Sequence, residues 1–363
     1  MDTQSTAENI IATEPAHSGK KMSIGLKVTL ILVETILLVV LAVAAVLLAL
    51  MRGPSVTARN LMVRSLKETS AIGFIADIFL PSETVAEIMA DTGTPEISEM
   101  DMSLVTIADT SDSANSLEAD EWGFVDEDGD GIIIEEVKGS TYSGYMMIVK
   151  DPSRVILGCA YKNFGGSAYT VDEYVQMFGA VAGINGGGFL DENGMGDGSS
   201  PDSTVVFNGE FYGGGGTKNA FVGIDDNYIL HVDCQDSYAI QNAHIQWGCA
   251  YGPILVSNGE IVVEYDGSIS GLNPRTAIGQ RSDGAILMLV IDGRHVVSLG
   301  ATYLDEAEIM VRYGAVNAAN MDGGSSSLMY YNGEYVNNKA FVIGVRDIPD
   351  AWLVLPEGVT FTP

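Results

Sequence analysis

Three glycine-rich segments of the chain combine residue types that bind anions and transfer protons. They read GINGGGF from Gly183 to Phe189, NPRTAIG from Asn273 to Gly279, and ANMDGGSSS from Ala319 to Ser327. Glycines let several backbone N–H groups point at one anion, and the adjacent Asn, Arg, Asp and Ser side chains add hydrogen-bonding groups. Any one segment alone is typical of a tight turn in a β-rich fold. The three together predict a polar site that binds a phosphate.

Arginines beside these segments strengthen the prediction of an anion site. The chain holds 18 Lys plus Arg and 48 Asp plus Glu, and the resulting net charge of −30 makes nucleic-acid binding an unfavourable function. Arg275 lies inside the second segment, while Arg281, Arg294 and Arg346 lie in or near predicted strands around it. In so acidic a protein a phosphate needs bidentate donors, which arginine supplies. The alternative is that these are ordinary surface arginines.

The common catalytic and metal motifs are absent from the sequence. There is no phosphate loop ending in Gly-Lys-Ser/Thr, no His-Glu-x-x-His and no Gly-x-Ser-x-Gly elbow. Asp126, Asp128 and Asp130 imitate the start of a calcium-binding loop, but Val137 stands where the twelfth ligand is needed, so an acidic turn is favoured. We therefore predict no cofactor and no metal, and a calcium site is possible but unsupported.

The three cysteines have a spacing that is only loosely zinc-like. His231 precedes Cys234, and His244 precedes Cys249. Outside the cell, a disulfide between the two cysteines or two unpaired thiols is favoured over zinc, and the sequence does not decide between these two. Cys159 is then the odd cysteine, expected to be buried.

Four motifs in order carry a resemblance to a known family. The order is INGGGF at 184–189, PRTAIG at 274–279, IDGR at 291–294 and MDGGSSS at 321–327, and it resembles the phosphodiester glycosidase family over about Thr141 to Leu355. This family acts on sugar-1-phosphodiesters and has bacterial members associated with exopolysaccharides. The resemblance implies a conserved cavity containing Asp322, with Asp292 nearby. We expect its substrate- and phosphate-binding residues to be Asn185, Gly186, Gly187, Arg275, Thr276, Arg294, Gly323, Gly324, Ser325 and Ser326.

The chemistry of a sugar-1-phosphodiester suggests roles for these residues. Cleavage at the anomeric carbon expels a phosphate monoester, which is already a good leaving group, so a general acid matters less than in an ordinary glycoside. We expect Asp322 to act as nucleophile or general base, and Asp292 or Glu306 could exchange roles with it. Arg275 and Arg294 are the expected phosphate clamps, with the amides around Gly186 and Gly323 as an oxyanion cradle. Retention or inversion is not predicted.

Two other functions compete with this hypothesis. A non-catalytic protein that binds or assembles an anionic glycopolymer would use the same glycine turns and arginines. A phosphodiesterase that attacks phosphorus would normally use a metal cluster of His and Asp, and four scattered histidines do not supply one. The predicted partner is accordingly a phosphodiester-containing glycan, and oligomeric state is not predicted.

The elements that must position these residues are short strands. Apolar runs such as Tyr145 to Val149, Thr204 to Phe207 and Phe341 to Val345 are separated by glycines and by Asn-Gly pairs at 208–209, 258–259 and 332–333, a strong hairpin signal. Helices are predicted from a capping box at Thr170 to Gly179, and at Leu304 to Tyr313 with Leu304, Ala307, Met310 and Val311 on one face. The predicted class is α+β, with a largely antiparallel sheet core and a few packed helices.

The N-terminal region predicts a membrane anchor. Residues 28–51 contain Glu34 as the only ionised side chain and are long enough to cross about 30 Å of hydrocarbon. Lys20, Lys21 and Lys27 before this span favour a cytoplasmic N-terminus, although a cleaved signal peptide is the alternative. The predicted organisation is a cytoplasmic tail at 1–27, a transmembrane helix at 28–51, a helical stalk and acidic linker at 52–121, and an extracellular glycosidase-like domain at 122–363. The predicted location is the cell membrane, which the protein crosses once.

Overall fold

The structure is a computed structural model. It describes residues 23–69, 72–90, 99–107, 119–191, 196–212, 220–234, 236–263, 270–338 and 345–361. The chain divides into two units, Met1–Ala49 and Leu50–Pro363.

Helix α1 accounts for the described part of the first unit and runs from Ile24 to Arg52. It has 29 residues, none of its apolar central stretch is buried, and it is long and apolar enough to cross a membrane. An N-terminal signal sequence has the same features. A candidate membrane-spanning helix is therefore present where the hydropathy of the sequence predicted one.

The second unit is built from six described helices and seventeen described strands. The helices are α2 (Val56–Lys67), α3 (Phe74–Phe79), α4 (Ser82–Ala90), α5 (Val171–Phe178), α6 (Ser237–Asn242) and α7 (Tyr303–Arg312). The strands are β1 (Ile132–Lys138), β2 (Ser143–Val149), β3 (Val155–Cys159), β4 (Ala182–Asn185), β5 (Val205–Phe207), β6 (Glu210–Tyr212), β7 (Ala220–Asp225), β8 (Leu230–Cys234), β9 (Ile245–Tyr251), β10 (Ile254–Ser257), β11 (Glu260–Ile261), β12 (Arg275–Arg281), β13 (Ile286–Ile291), β14 (Ala315–Asn320), β15 (Met329–Tyr331), β16 (Glu334–Tyr335) and β17 (Asp350–Val354).

The described strands form three sheets in which neighbouring strands are antiparallel. The orders are β1-β2-β13-β12-β14-β10-β11, β16-β15-β4-β17-β3 and β6-β5-β9-β7-β8. Apolar side chains from all three sheets share one core, including Met147, Ile184, Val222 and Trp352, each with no exposed surface. The α+β class with antiparallel sheets is confirmed. Residues 341–344 of the strand predicted at Phe341 to Val345, and most of the predicted acidic linker, lie outside the described residues.

All three predicted Asn-Gly hairpins are present. Asn208, Asn258 and Asn332 each have a φ between 50° and 54°, and the glycine that follows each also has a positive φ. This conformation gives the two-residue turn whose twist matches the paired strands. The turns join β5 to β6, β10 to β11 and β15 to β16.

The two predicted helices of this region are also present, with one difference in the buried face. Helix α5 begins with the backbone N–H of Thr170 donating to Glu173 Oε2 at 2.9 Å, and it ends at Gly179 in the left-handed conformation. Helix α7 buries Glu306 together with Ala307, Ile309 and Met310, whereas Val311, which the sequence places on the same face as Ala307 and Met310, is 37% exposed. The 100° step of the helix brings Glu306 inward beside Ala307.

Candidate active site

The three glycine-rich segments meet at the ends of β4, β12 and β14. Strand β12 pairs with β14 so that Ala277 lies opposite Asn320, and the N–H of Met321 then donates to the carbonyl of Thr276 at 2.7 Å. The segment after β4 joins from another sheet, because the N–H of Asp322 donates to the carbonyl of Gly186 at 3.0 Å. The antiparallel register therefore places the second and third segments side by side. A main-chain hydrogen bond joins the first segment to the third.

A cavity of about 310 Å³ opens over this junction. Its charged wall residues are Glu68, Asp191, Asp202, Arg275, Arg294, Asp322 and Arg346. The lining also includes the aromatic side chains of Phe189, Tyr251 and Tyr303, the turn from Gly323 to Ser326, and Gly188 and Asn273. A concave site of this size that mixes cations, carboxylates and aromatic rings fits a small polar group such as a sugar phosphate.

Asp322 is the carboxylate that the third segment presents to the cavity. Burial raises its pKa to about 6, although hydrogen bonds from Ser326 and Tyr251 and the charge of Arg346 act in the opposite direction. At neutral pH this carboxyl is ionised and still basic enough to take a proton or attack carbon. Asp322 therefore has the properties of a nucleophile or general base.

Asp350 lies behind the first segment, at the start of β17. Its Oδ1 accepts a hydrogen bond from the N–H of Gly187 at 2.7 Å, and a Cβ on Gly186 would collide with the same oxygen. Burial raises the pKa of Asp350 to about 7, and the nearby Asp322 and Asp202 raise it further, against the hydrogen bonds that it accepts. The residue does not line the cavity, so it shapes the glycine turn from beneath.

Arg275 is the buried cation of the second segment. Its guanidinium stacks over the ring of Tyr303 at 4.2 Å, and Nε donates to the carbonyl of Ala301 at 3.0 Å. Nη2 donates both to the carbonyl of Gly271 at 2.7 Å and to Oε2 of Glu68 at 3.0 Å. Burial alone would lower the pKa of Arg275, but the surrounding Tyr303 and Glu68 raise it above its usual value.

Arg294 is the second cation of the predicted clamp. It has a φ of 59°, which is uncommon for a residue with a side chain. The tight turn that follows holds it there, because the N–H of His295 donates to the carbonyl of Ser298 at 2.8 Å. The guanidinium donates from Nη2 to Oδ1 of Asn273 at 3.2 Å. Burial, and then the charge of Arg275, lower the pKa of Arg294, so an anion between the two arginines would relieve their repulsion.

A third arginine, Arg346, also lines the cavity. Nη1 donates to Asp191 Oδ2 at 2.8 Å, and the guanidinium lies 4.8 Å from the ring centre of Phe189. Arg281, which was grouped with these arginines on sequence, lies elsewhere: it stacks over Trp122 at 3.8 Å and pairs with Asp120 and Asp283.

Two carboxylates that the sequence offered as alternatives to Asp322 lie outside the cavity lining. Asp292 is 2% exposed, and its oxygens accept hydrogen bonds from the side chain of Asn337 and from the main chain and side chain of Asn338. Glu306 has no exposed surface, and burial raises its pKa well above the usual range. Asp292 therefore holds a neighbouring loop, and Glu306 is a buried carboxyl that does not line the cavity.

The other predicted binding residues fall into two groups. Gly323, Gly324, Ser325 and Ser326 line the cavity, together with Arg275 and Arg294. Asn185, Gly186, Gly187 and Thr276 are buried behind the lining, where Thr276 Oγ1 donates to Asn185 Oδ1 at 2.8 Å. These four residues therefore lie beneath the cavity lining and support it.

Several lining residues were not singled out from the sequence. Asp202, Tyr251 and Tyr303 lie in ordinary polar or aromatic contexts, so no local pattern marks them. Glu68 lies in the region assigned to the stalk, more than 100 residues before the first glycine-rich segment. A charged residue at the end of an amphipathic helix gives no signal of its own for a distant cavity.

The described residues contain one group of three carboxylates that could hold a metal ion, Asp126, Asp128 and Asp130. Within it, Asp126 accepts hydrogen bonds from the N–H groups of Gly129 and Gly131 and lies 3.3 Å from Lys150 Nζ. These contacts are typical of an acidic turn in which backbone N–H groups and a lysine interact with the carboxylate.

All three cysteines are buried and free. The sequence left open whether Cys234 and Cys249 form a disulfide or remain as two thiols. In the structure both remain thiols, with no disulfide between them. The sulfur of Cys249 lies 3.9 Å from that of Met321, beneath the third segment.

Comparison with known proteins found one family model and several partial relatives. Residues 178–355 match the model of the family described as phosphodiester glycosidase. N-acetylglucosamine-1-phosphodiester alpha-N-acetylglucosaminidase of Bos taurus is 27% identical over 194 residues, covering 48% of this chain and 35% of that protein. The SPbeta prophage-derived uncharacterized protein YomE of Bacillus subtilis is 44% identical over 66 residues, covering 18% of this chain and 10% of that protein. The chain thus spans about a third or less of the curated relatives it matches.

A solved structure has the same fold. The catalytic domain of zebrafish N-acetylglucosamine-1-phosphodiester alpha-N-acetylglucosaminidase, auto-inhibited by its pro-peptide, superposes with a TM-score of 0.51 at 20% identity. The match covers 62% of this chain and 82% of that one.

Proposed function

This chain belongs to the phosphodiester glycosidase family through residues 178–355, and we propose that it hydrolyses sugar-1-phosphodiester bonds in cell-wall or exopolysaccharide glycans. The observation that carries the proposal is the presence of Asp322 and Arg294 in the lining of one small cavity. A basic carboxylate and an arginine with donors available for an anion are the two groups that this reaction needs.

The bond that breaks joins the anomeric carbon to a phosphate oxygen. Asp322 either attacks that carbon or removes a proton from the water that does, and the electron pair of the broken bond leaves with the phosphate monoester. Arg294 stabilises the charge that develops on this leaving group. Phe189, Tyr251 and Tyr303 provide apolar surface against which a sugar ring can pack.

The N-terminal helix supports the proposed location. With α1 as an anchor and the N-terminus in the cytoplasm, the glycosidase domain faces outward, where phosphodiester-linked glycans of a bacterial envelope would be its substrates. A cleaved α1 would release the same domain to the outside, so both alternatives give an extracytoplasmic enzyme.

The test is sugar release by the full chain from N-acetylglucosamine-1-phospho-6-mannose and from a panel of teichoic-type phosphodiesters. The proposal predicts free sugar plus the phosphate monoester, with kcat reduced by about a thousandfold in Asp322→Asn. Arg294→Ala should reduce kcat/KM strongly, while Asp226→Asn, an exposed control, should not. Binding without turnover across the panel would instead favour a non-catalytic glycopolymer-binding protein.

A further inference from the structure

A carboxylate from outside the family-matched region enters the cavity. Glu68 caps the C-terminus of α2, and its Oε2 accepts hydrogen bonds from Arg275 Nη2 at 3.0 Å and from Asn273 Nδ2 at 2.7 Å. Its Oε1 accepts a third hydrogen bond from the N–H of Gly271 at 3.1 Å. Three donors therefore hold this carboxylate on the arginine that the second segment supplies.

The helix itself is fixed against the segment that carries these donors. Ser65 Oγ accepts a hydrogen bond from the N–H of Leu272 at 2.8 Å, one turn before Glu68. Gly271 leaves no room for a Cβ, because the backbone of Ser65 occupies that position. Such close backbone packing fixes the position of Glu68 relative to Arg275.

The three arginines of the cavity differ in whether a carboxylate pairs with them. Arg346 pairs with Asp191 and Arg275 pairs with Glu68. Among the described residues, no carboxylate oxygen lies within ion-pair distance of Arg294, whose hydrogen bond goes to the neutral Oδ1 of Asn273. Asn273 thus links Glu68, through Nδ2, to Arg294, through Oδ1. Arg294 is therefore the cavity arginine that, within the described part of the chain, has no carboxylate in direct contact, and Glu68 and Asp322 act on it only through longer-range charge.

We propose that Glu68 is a specificity-determining residue that makes the cavity selective for the singly charged phosphodiester over the doubly charged phosphate monoester. This inference rests on the proposed function, since it concerns the substrate and product of that reaction. A phosphodiester carries one negative charge, which can pair with the Arg294 guanidinium. A phosphate monoester carries close to two negative charges above pH 7, because its second pKa is about 6. The second charge meets Glu68 in a site of low dielectric, where repulsion between like charges is strong.

The selectivity has a consequence for turnover. Cleavage of the phosphodiester converts a singly charged group into a doubly charged one, and the proton released departs through Asp322 or water. The charge of Glu68 then disfavours the product more than the substrate, which promotes product release. Glu68 acts through charge on the phosphate and touches none of the reacting atoms.

The test compares two probes that differ in charge and need no turnover. Binding of dimethyl phosphate, a monoanion, and methyl phosphate, a dianion at pH 8, is measured by calorimetry on the full chain in detergent. Glu68→Gln should tighten methyl phosphate binding about tenfold more than dimethyl phosphate binding, since removal of one charge acts twice as strongly on a dianion. Glu87→Gln on the exposed face of α4 is the matched control and should change neither. Glu68→Asp keeps the charge and should preserve the ratio.

Two results would overturn the proposal. Equal tightening of both probes in Glu68→Gln would mean that the side chain obstructs the cavity without selecting charge. Weaker binding of both probes, in a variant whose melting temperature matches that of Glu87→Gln, would mean that Glu68 is part of the anion site. Because the ratio is measured by binding, absence of hydrolysis would contradict the enzymatic proposal and leave this one standing.

Discussion

The Nδ2 group of Asn185 donates a hydrogen bond to the main-chain carbonyl of Asp322 at 2.5 Å, and so ties together two segments that belong to different sheets. Oδ1 of the same side chain accepts from Thr276 Oγ1 at 2.8 Å and from the N–H of Leu328 at 3.2 Å. One buried amide therefore connects all three glycine-rich segments. Asp322 is therefore held by Asn185 in addition to its own strand.

Replacement of Asn185 by Ala should therefore impair both stability and catalysis. The change leaves the buried Thr276 hydroxyl and the Leu328 N–H without their acceptor, at a cost of about 1–3 kcal/mol for each group. We expect the free energy of unfolding, measured by urea titration, to fall by about 3 kcal/mol, and kcat to fall more than KM rises. Asn227→Ala, at an exposed turn, is the control. Loss of activity with unchanged stability would contradict this role and indicate direct contact with substrate.

The pH dependence of kcat/KM should reflect Asp322. Its pKa is raised to about 6, mainly by burial, and the proposed role requires the ionised form. Activity should therefore increase about tenfold per pH unit up to about pH 6 and then level off. The profile is measured with a saturable substrate between pH 4 and 8. A rate that decreases above pH 6 would instead assign Asp322 the role of general acid.

Asp350 should make the fold less stable as pH rises from about 4 to 7. Its pKa is raised to about 7 by burial, so the folded state binds this proton more tightly than the unfolded state, in which the pKa is about 4. The stabilising contribution of the protonated form is thus complete below about pH 4 and is lost as pH rises towards 7. Asp350→Asn retains an oxygen for the Gly187 N–H and should be more stable than the native chain at pH 8, by about 2–4 kcal/mol.

At pH 4 the unfolding free energies of Asp350→Asn and the native chain should converge. Denaturant titrations at the two pH values measure both differences. A variant that is less stable by the same amount at pH 4 and pH 8 would show that the ionised carboxylate is required by the fold.

Local patterns in the sequence were sufficient for much of the fold. The turn at Asn208 and the cap at Thr170 depend on residues within a few positions, so their conformation follows from propensity alone. The three glycine-rich segments were identifiable for a similar reason, because each concentrates unusual residue types in one short stretch.

Long-range features of the site were beyond these patterns. Asp292 looked chemically available, but its oxygens are used by Asn337 and Asn338, and nothing local to the IDGR segment indicates those partners. Glu68 looked like part of a stalk, yet it binds Arg275 more than 200 residues later in the chain. Such contacts are decided by how distant helices, strands and loops pack and not by neighbouring sequence.

The most direct test of the central claim is hydrolysis of N-acetylglucosamine-1-phospho-6-mannose by the full chain in water enriched in oxygen-18, with both products analysed by mass spectrometry. Cleavage at the anomeric carbon predicts that the label enters N-acetylglucosamine and is absent from mannose 6-phosphate. The sugar must be analysed immediately, against a control for exchange of its free anomeric hydroxyl. Label in the phosphate would show attack at phosphorus and would contradict the assignment of this chain as a glycosidase.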